Sequence, residues 1–231
     1  MRAAIVENTA ITHHGAVGVA LHEAGARIGL YKPWRDGVLP DPADYDALIV
    51  FGGEQNALAD DTHPYLPDLA RRMAAFSAAD KAVLGICLGS QILARAFGGQ
   101  NLIGAAPEFG WCDITLTEAA TQDPLLGQIA PGFPIFQWHS DTFTLPEGAV
   151  HLAHLPMAAA QAFRLGRATY GTQFHFEANR SVVADWTREF PDLTEKISPG
   201  WAAAHPALAA TRGAQADQIG LSIARAFVAL I

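Results

Sequence analysis

Apolar residues along this chain follow two different rhythms. In the first hundred residues, short apolar runs alternate with amphipathic stretches. Arg2 to Val6, Arg27 to Tyr31, Asp46 to Phe51 and Lys81 to Ile86 predict strands. The third is almost continuously apolar, as strands buried on both faces of a parallel sheet are. His14 to Ala24, ended by Gly25, predicts a helix. So does Pro64 to Ala79, where Leu66, Leu69, Met73 and Phe76 recur at helical spacing. A further helical pattern, Ile92 to Phe97, follows the fourth strand. Strand and helix in alternation predict an α/β fold, with a doubly wound, mostly parallel sheet covered by helices on both faces.

Beyond residue 110 the runs become short and the helical spacing stops. Trp111 to Leu116, Phe133 to Trp138, Val150 to Leu155, Gln161 to Leu165 and Ala168 to Phe174 predict an extra set of antiparallel strands, with Gly166-Arg167 as a hairpin turn. The tail holds Pro, Gly and Ala, then a helical run from about Ala216 to Leu230 with Ile219, Ile223, Phe227 and Leu230 on one face. A single domain over residues 1–231 is expected, with residues 191–231 as a C-terminal helical extension. Phe51, Ile86 and Phe174 each close a predicted strand and are followed by Gly52, Cys87 and His175. Ligands of open α/β sheets bind at such carboxyl ends.

The fourth strand runs into Gly85-Ile86-Cys87-Leu88-Gly89-Ser90-Gln91. Strand, cysteine with glycine two residues to each side, then helix is the layout of a nucleophile elbow. The turn is so tight that a side chain at either glycine would strike the strand or the helix. It lifts the sulfur out of the sheet and sets it at a helix N-terminus, where the dipole favours thiolate. Further on, Gln173-Phe174-His175-Phe176-Glu177 ends the last strand. His175 and Glu177 are two apart and share a side in extended backbone. A histidine can take a thiol proton and return it to a leaving amine, and a carboxylate can hold that imidazole in its useful tautomer.

These two blocks strongly resemble the class I glutamine amidotransferases. Two more agree in order: Ile49-Val50-Phe51-Gly52-Gly53, similar to the family's glycine-rich oxyanion strand, and Gln137-Trp138-His139-Ser140-Asp141 followed by Leu145-Pro146, similar to the glutamine-contacting loop of GMP-synthetase-type members. The four blocks span about residues 1 to 190. They resemble stand-alone members related to the amidotransferase domain of GMP synthetase. Phe176 stands where the family often has Pro, as does Glu54, and Ser90 where a larger residue is common.

The resemblance implies a flavodoxin-like amidotransferase fold and a Cys87-His175-Glu177 triad. It implies an oxyanion hole from the backbone N–H groups of Gly53 and Leu88. Gly52, Gln91 and the backbone at Ser140 and Asp141 are then the substrate contacts. The implied activity is hydrolysis of the glutamine side-chain amide through a glutamyl thioester, with ammonia passing to a separate synthetase or acceptor. Hydrolysis of γ-glutamyl peptides by the same triad is an alternative. A catalytically quiet binding module is a third reading, opposed by the presence of all three triad residues.

The net charge of −8 and the absence of a Lys/Arg-rich run exclude a nucleic-acid surface. No apolar stretch approaches a membrane span, and the first residues read as a strand broken by Glu7 rather than as a signal peptide. Two cysteines, Cys87 and Cys112, do not make a disulfide framework, so a reduced, cytoplasmic protein is expected, with Cys112 an inert strand residue. His13, His14 and His139 lack metal-ligand spacing, and His151 and His154, three apart on a strand, face opposite ways. No metal or cofactor is expected. No phosphate-binding glycine loop is visible, so an acceptor would be activated elsewhere.

Overall fold

The computed structural model describes residues 1–231. The chain begins β1 (Arg2–Val6), α1 (Gly15–Glu23), β2 (Arg27–Tyr31), a single turn α2 (Pro33–Asp36) and β3 (Ala47–Val50). It continues through α3 (Leu66–Ala78), β4 (Ala82–Ile86), α4 (Leu88–Ala96), β5 (Asn101–Leu102) and β6 (Glu108–Leu116). Then come β7 (Gly132–His139), β8 (Thr142–Phe143), β9 (Val150–His154), β10 (Ala162–Leu165) and β11 (Thr169–Thr172). Helices α5 (Arg180–Glu189), α6 (Pro191–Ile197), α7 (Trp201–Leu208) and α8 (Ala214–Val228) close the chain, the last two joined by a π-helical turn.

Nine strands form one sheet in the order β2-β1-β3-β4-β11-β10-β9-β6-β7. β2, β1, β3, β4 and β11 are parallel, and each later strand is antiparallel to its neighbour. The extra strands therefore continue the main sheet, apart from the short β5–β8 ribbon. Buried side chains alternate across the parallel part with period two. Ala3, Ile5, Ala47, Ile49, Leu84 and Ile86 point to the face covered by α1 and α8. Ala4, Val6, Leu48, Val50 and Val83 point to the face covered by α3 and α4. Such strands are apolar on both sides because both sides are roofed.

The helix pattern is met at α1, α3, α4 and α8, with bounds shifted by one or two residues. On α8, Ile223 and Phe227 are fully buried, and Ile219 packs at the margin of the same cluster. One expectation is corrected. The last strand ends at Thr172, not Phe174, because the ladder with β4 and β10 stops there. The following amides are taken from elsewhere: Gln173 N–H by the Gln161 carbonyl at 2.8 Å, and His175 N–H by the Phe136 carbonyl at 2.8 Å. The tail before Ala214 is helical as well. α6 and α7 are single short helices, separated by Gly200 at φ +85° and carrying Pro206 inside α7, too brief and interrupted for a periodic signal.

Bonding of His175 to Phe136 has a topological meaning. Phe136 lies on β7, the far edge of the sheet, whereas His175 extends β11 near its middle. The antiparallel section curls round until its last strand meets the extension of β11. Strand ends, loops and curl thus converge above the carboxyl edge of β3 and β4.

A Cβ on Gly85 would overlap the carbonyl oxygen of Gly89, and a Cβ on Gly89 would overlap that of Val50. Both obstacles are backbone and cannot swing aside. Gly85→Val or Gly89→Val is expected to cost about 3 kcal/mol or more, seen as lost soluble yield or a lowered Tm. Normal yield and Tm in both variants would show that the crossing of β4 and α4 is looser than this.

Candidate active site

Cys87 stands between β4 and α4 with φ +52° and ψ −111°, a region that L residues rarely occupy. Asp80 is the other non-glycine residue with positive φ. The turn is held by four bonds, one of them from Ser90 N–H to the Cys87 carbonyl at 2.9 Å. Cys87 N–H donates to the Thr172 carbonyl at 2.8 Å, Gln91 N–H to the Cys87 carbonyl at 3.1 Å, and the Ser90 hydroxyl to that same carbonyl at 2.7 Å. Ser90 is fully buried. The departure from the family pattern at this position thus has a physical role, fixing the elbow from inside. The Cys87 sulfur lies 3.8 Å from the Trp138 carbonyl oxygen.

The His175 ring reaches the sulfur from the β11 extension. Its Nδ1 bonds Glu177 Oε1 at 2.7 Å, and the ring and the Cys87 sulfur face the same space beside Gly52. All three residues are buried. Burial works against charge on the imidazole, but the Glu177 carboxylate and Cys87 outweigh it and hold the His175 pKa well above its ordinary value of 6.5. The Glu177 backbone is clamped too, its carbonyl accepting the N–H of Ala16 at 2.9 Å where α1 begins. Thiol, imidazole and carboxylate in series can move a proton between sulfur and ring while the carboxylate steadies the charged ring.

The glycine pair after β3 faces this contact. A Cβ on Gly52 would sit 3.3 Å from His175 Cε1 and 3.4 Å from Cys87 Cβ, so any side chain here would fill the space in front of the sulfur. A Cβ on Gly53 would lie 2.9 Å from the Leu88 side chain. Gly53 and Leu88, the first residue of α4, are therefore neighbours, and first-turn amides of a helix lack intrahelical acceptors. Gln91 is buried rather than solvated, with Nε2 3.3 Å from both the Asp141 carbonyl and Gln173 Oε1. Asp141 Oδ1 accepts from Gly104 N–H at 2.8 Å. All nine residues singled out from sequence line one cavity of about 510 Å³.

Sequence reasoning missed three features of this cavity. Glu108 lines it and meets His139 across the β6–β7 ladder, Oε2 to Nε2 at 3.0 Å. Trp186 on α5 stands edge-on to His175, with ring centroids 5.3 Å apart. Phe190, Leu193 and Ile197 extend that apolar wall. Trp186 and Phe190 could have been suspected from their aromatic character alone, but nothing local ties them to the elbow. No group of three or more His, Cys, Asp or Glu side chains is placed to hold a metal ion. The two cysteines are unpaired, and burial first, then Glu108, pushes the Cys112 thiol up to about 11.

The family model described as glutamine amidotransferase class-I matches residues 20–185. The chain belongs to this family. It is 32% identical over 185 residues to the glutamine amidotransferase-like protein YfeJ of Salmonella typhimurium, covering 72% of this chain and 77% of that one. It is 30% identical over 180 residues to a glutamine-hydrolysing GMP synthase subunit of Natronomonas pharaonis, covering 76% and 90%. Among solved structures, a glutamine amidotransferase of Thermotoga maritima superposes with a TM-score of 0.88 at 22% identity, covering 99% of this chain and 97% of the other. One from Methylobacillus flagellatus gives 0.84 at 26% identity, covering 100% and 95%. The fold expected from the motifs is thus the fold found. Trp186, Phe190, Leu193 and Ile197 all lie beyond the end of the family model.

The His175 environment makes a pH prediction. Its imidazole should titrate well above 6.5 by NMR, and Glu177→Gln should bring the midpoint down. A folded-state pKa raised above the unfolded value stabilises the fold fully below about 6.5, and that contribution is lost as pH rises through the raised value. The wild-type advantage in Tm over Glu177→Gln should therefore shrink toward alkaline pH. An unchanged midpoint in the variant would refute the coupling.

Proposed function

We propose that this amidotransferase-family chain hydrolyses the side-chain amide of glutamine through Cys87, His175 and Glu177. The observation that carries the reading is the sulfur on a strained elbow, facing the same space as an imidazole braced at 2.7 Å by a buried carboxylate. Cys87 Sγ attacks the amide carbon, and the carbonyl electron pair moves to oxygen. The N–H groups of Gly53 and Leu88 stabilise that oxyanion, each worth about 3 kcal/mol in sites of this type. Because Nδ1 of His175 is committed to Glu177, the opposite edge of the ring carries the proton that the departing ammonia receives. Water then attacks the thioester, His175 takes its proton, and glutamate leaves.

Gly52 keeps the approach to sulfur open, while Gln91 and the backbone of Ser140 and Asp141 hold the amino-acid end of the substrate. Ammonia passes to a separate acceptor protein in this reading, which the likeness to one subunit of a GMP synthase supports. A free thiol chemistry suits a reducing, cytoplasmic setting, and no helix is long and apolar enough to cross a membrane. Residues 1–231 act as one domain, since α8 from the C-terminal extension packs beside α1 on the main sheet.

Cys87→Ala should lower glutamate release by about a thousandfold or more with Tm little changed, whereas Cys112→Ala should retain activity. Glutamate release by Cys87→Ala at the wild-type rate would end the proposal.

One observation favours a second reading, hydrolysis of γ-glutamyl peptides. The leaving nitrogen must face His175, and the wall beside His175 is apolar: Trp186, Trp138 and Phe190 stack edge to face, with Leu193 and Ile197 beyond. Ammonia has no use for such a wall, but an apolar leaving residue does. If this reading holds, γ-glutamyl-phenylalanine is turned over with a higher kcat/KM than glutamine. Phe190→Ala should then lower the dipeptide value about tenfold, as loss of a buried ring does, and spare glutamine. Preference for glutamine in wild type leaves the first reading standing alone.

A further inference from the structure

We infer that Asn8 is a positioning residue for the oxyanion hole: from beside the glycine pair it fixes the peptide plane that carries the Gly53 N–H. The inference rests on the proposed hydrolysis of a γ-glutamyl amide, in which that N–H stabilises the oxyanion. Residues 51 to 53 lie outside any helix or strand. Neither the N–H nor the carbonyl of Gly52 or Gly53 takes part in a backbone–backbone hydrogen bond. A free N–H is what an oxyanion needs, but two glycines in succession are the least constrained backbone a chain can have. Left alone, the peptide between them is free to turn its N–H away from the sulfur. The hold must come from outside the pair.

Asn8 supplies that hold. It follows the end of β1 by two residues and is only 3% exposed. Its Nδ2 donates to the Phe51 carbonyl at 2.8 Å, immediately before the glycines. Its backbone carbonyl accepts from Gln55 Nε2 at 3.1 Å, two residues after them. One residue thus ties down both ends of the stretch 52–54. It also limits the space beside the pair. A Cβ on Gly53 would lie 2.9 Å from Asn8 Cβ, 2.9 Å from the Leu88 side chain and 2.8 Å from Gln55 Oε1. Gly53 is boxed between Asn8 and Leu88, the residue that carries the other proposed oxyanion donor.

Tyr65 decides which way the Asn8 amide points. Its hydroxyl donates to Asn8 Oδ1 at 3.1 Å and accepts from Gln55 Nε2 at 2.6 Å. Burial pushes the Tyr65 hydroxyl up to about 12, so it remains a donor at neutral pH. Oδ1 is committed to Tyr65, and Nδ2 is left for Phe51. Asn8 does not line the cavity, so it acts only through the backbone it holds. A donor fixed before the reaction needs no reorganisation as charge develops.

The test is Asn8→Ala in the full-length chain, which keeps the Cβ against Gly53 and removes the amide. The substrate is L-glutamine or γ-glutamyl-phenylalanine, whichever the wild type turns over faster. The kcat should fall about thirtyfold, less than for loss of a whole oxyanion donor, and KM should stay within about twofold. Alkylation of Cys87 by iodoacetamide, which builds no oxyanion, should keep its rate. In protein labelled with 15N-glycine, the Gly53 amide signal should split or broaden while those of Gly85 and Gly89 hold. A normal kcat or an unchanged Gly53 signal overturns the inference. So does a raised KM at normal kcat, which would mark a substrate contact, or slowed alkylation, which would mark a support of the triad. If Asn8→Ala does not fold, Tyr65→Phe takes its place with the same readouts, since it leaves the amide present but unsteered. Its kcat should fall about fivefold at constant KM, and an unchanged kcat overturns the inference. A wild type that releases no glutamate sinks the proposed hydrolysis instead, and the Gly53 signal then decides by itself whether Asn8 holds the peptide.

Discussion

The backbone of Cys87 is held at φ +52° and ψ −111°, and the rest of the site is arranged around that one unfavourable turn. Such conformations cost on the order of 1–3 kcal/mol and persist only when the surroundings over-determine them. Here the surroundings are β11 on one side, through Thr172, and Ser90 and Gln91 on the other. Glycine at 85 and 89 lets α4 lie against the ends of β4 and β3 with backbone touching backbone. The close crossing leaves the sulfur nowhere to go but upward, beneath the His175 ring.

A second constraint supplies the partner. His175 and Glu177 are not on a strand proper but on its extension, a segment whose amides are claimed one by one by other elements. The curl of the antiparallel section makes this possible, since it carries Phe136 from the sheet edge back to the middle. The same curl brings Glu108 and His139 to one side of the cavity.

How much of this is legible in the sequence depends on whether the determinant is local. The elbow can be read because a tight strand–helix crossing demands glycine at fixed offsets from the cysteine. The spacing of His175 and Glu177 can be read because extended backbone has period two. The place of Glu108 in the cavity cannot be read: it comes from a cross-strand pairing with His139, 31 residues away, and from a bond to Gln161, 53 residues away. The apolar wall is hidden for another reason. It comes from α5 and α6, short elements whose aromatic and aliphatic residues look like ordinary packing until α5 is seen against His175. Ser90 reads as a departure from pattern, whereas it fills a buried niche and fixes the elbow with its hydroxyl.

The backbone between His175 and Ala178 is gripped by two helices far apart in sequence. Any Cβ on Gly15, at the start of α1, would overlap the Glu177 carbonyl, and any Cβ on Gly220, in the middle of α8, would overlap that of Phe176. The segment is a keystone between the first helix and the last. Synthesis proceeds from the N-terminus, and N-terminal elements have the first opportunity to fold. The parallel strands and the cysteine elbow thus precede α8 out of the ribosome, while the seat of His175 and Glu177 is incomplete until residue 220 has followed. Assembly of the site in this way waits for α8, and a nascent chain that lacks it carries its thiol without the imidazole settled above it.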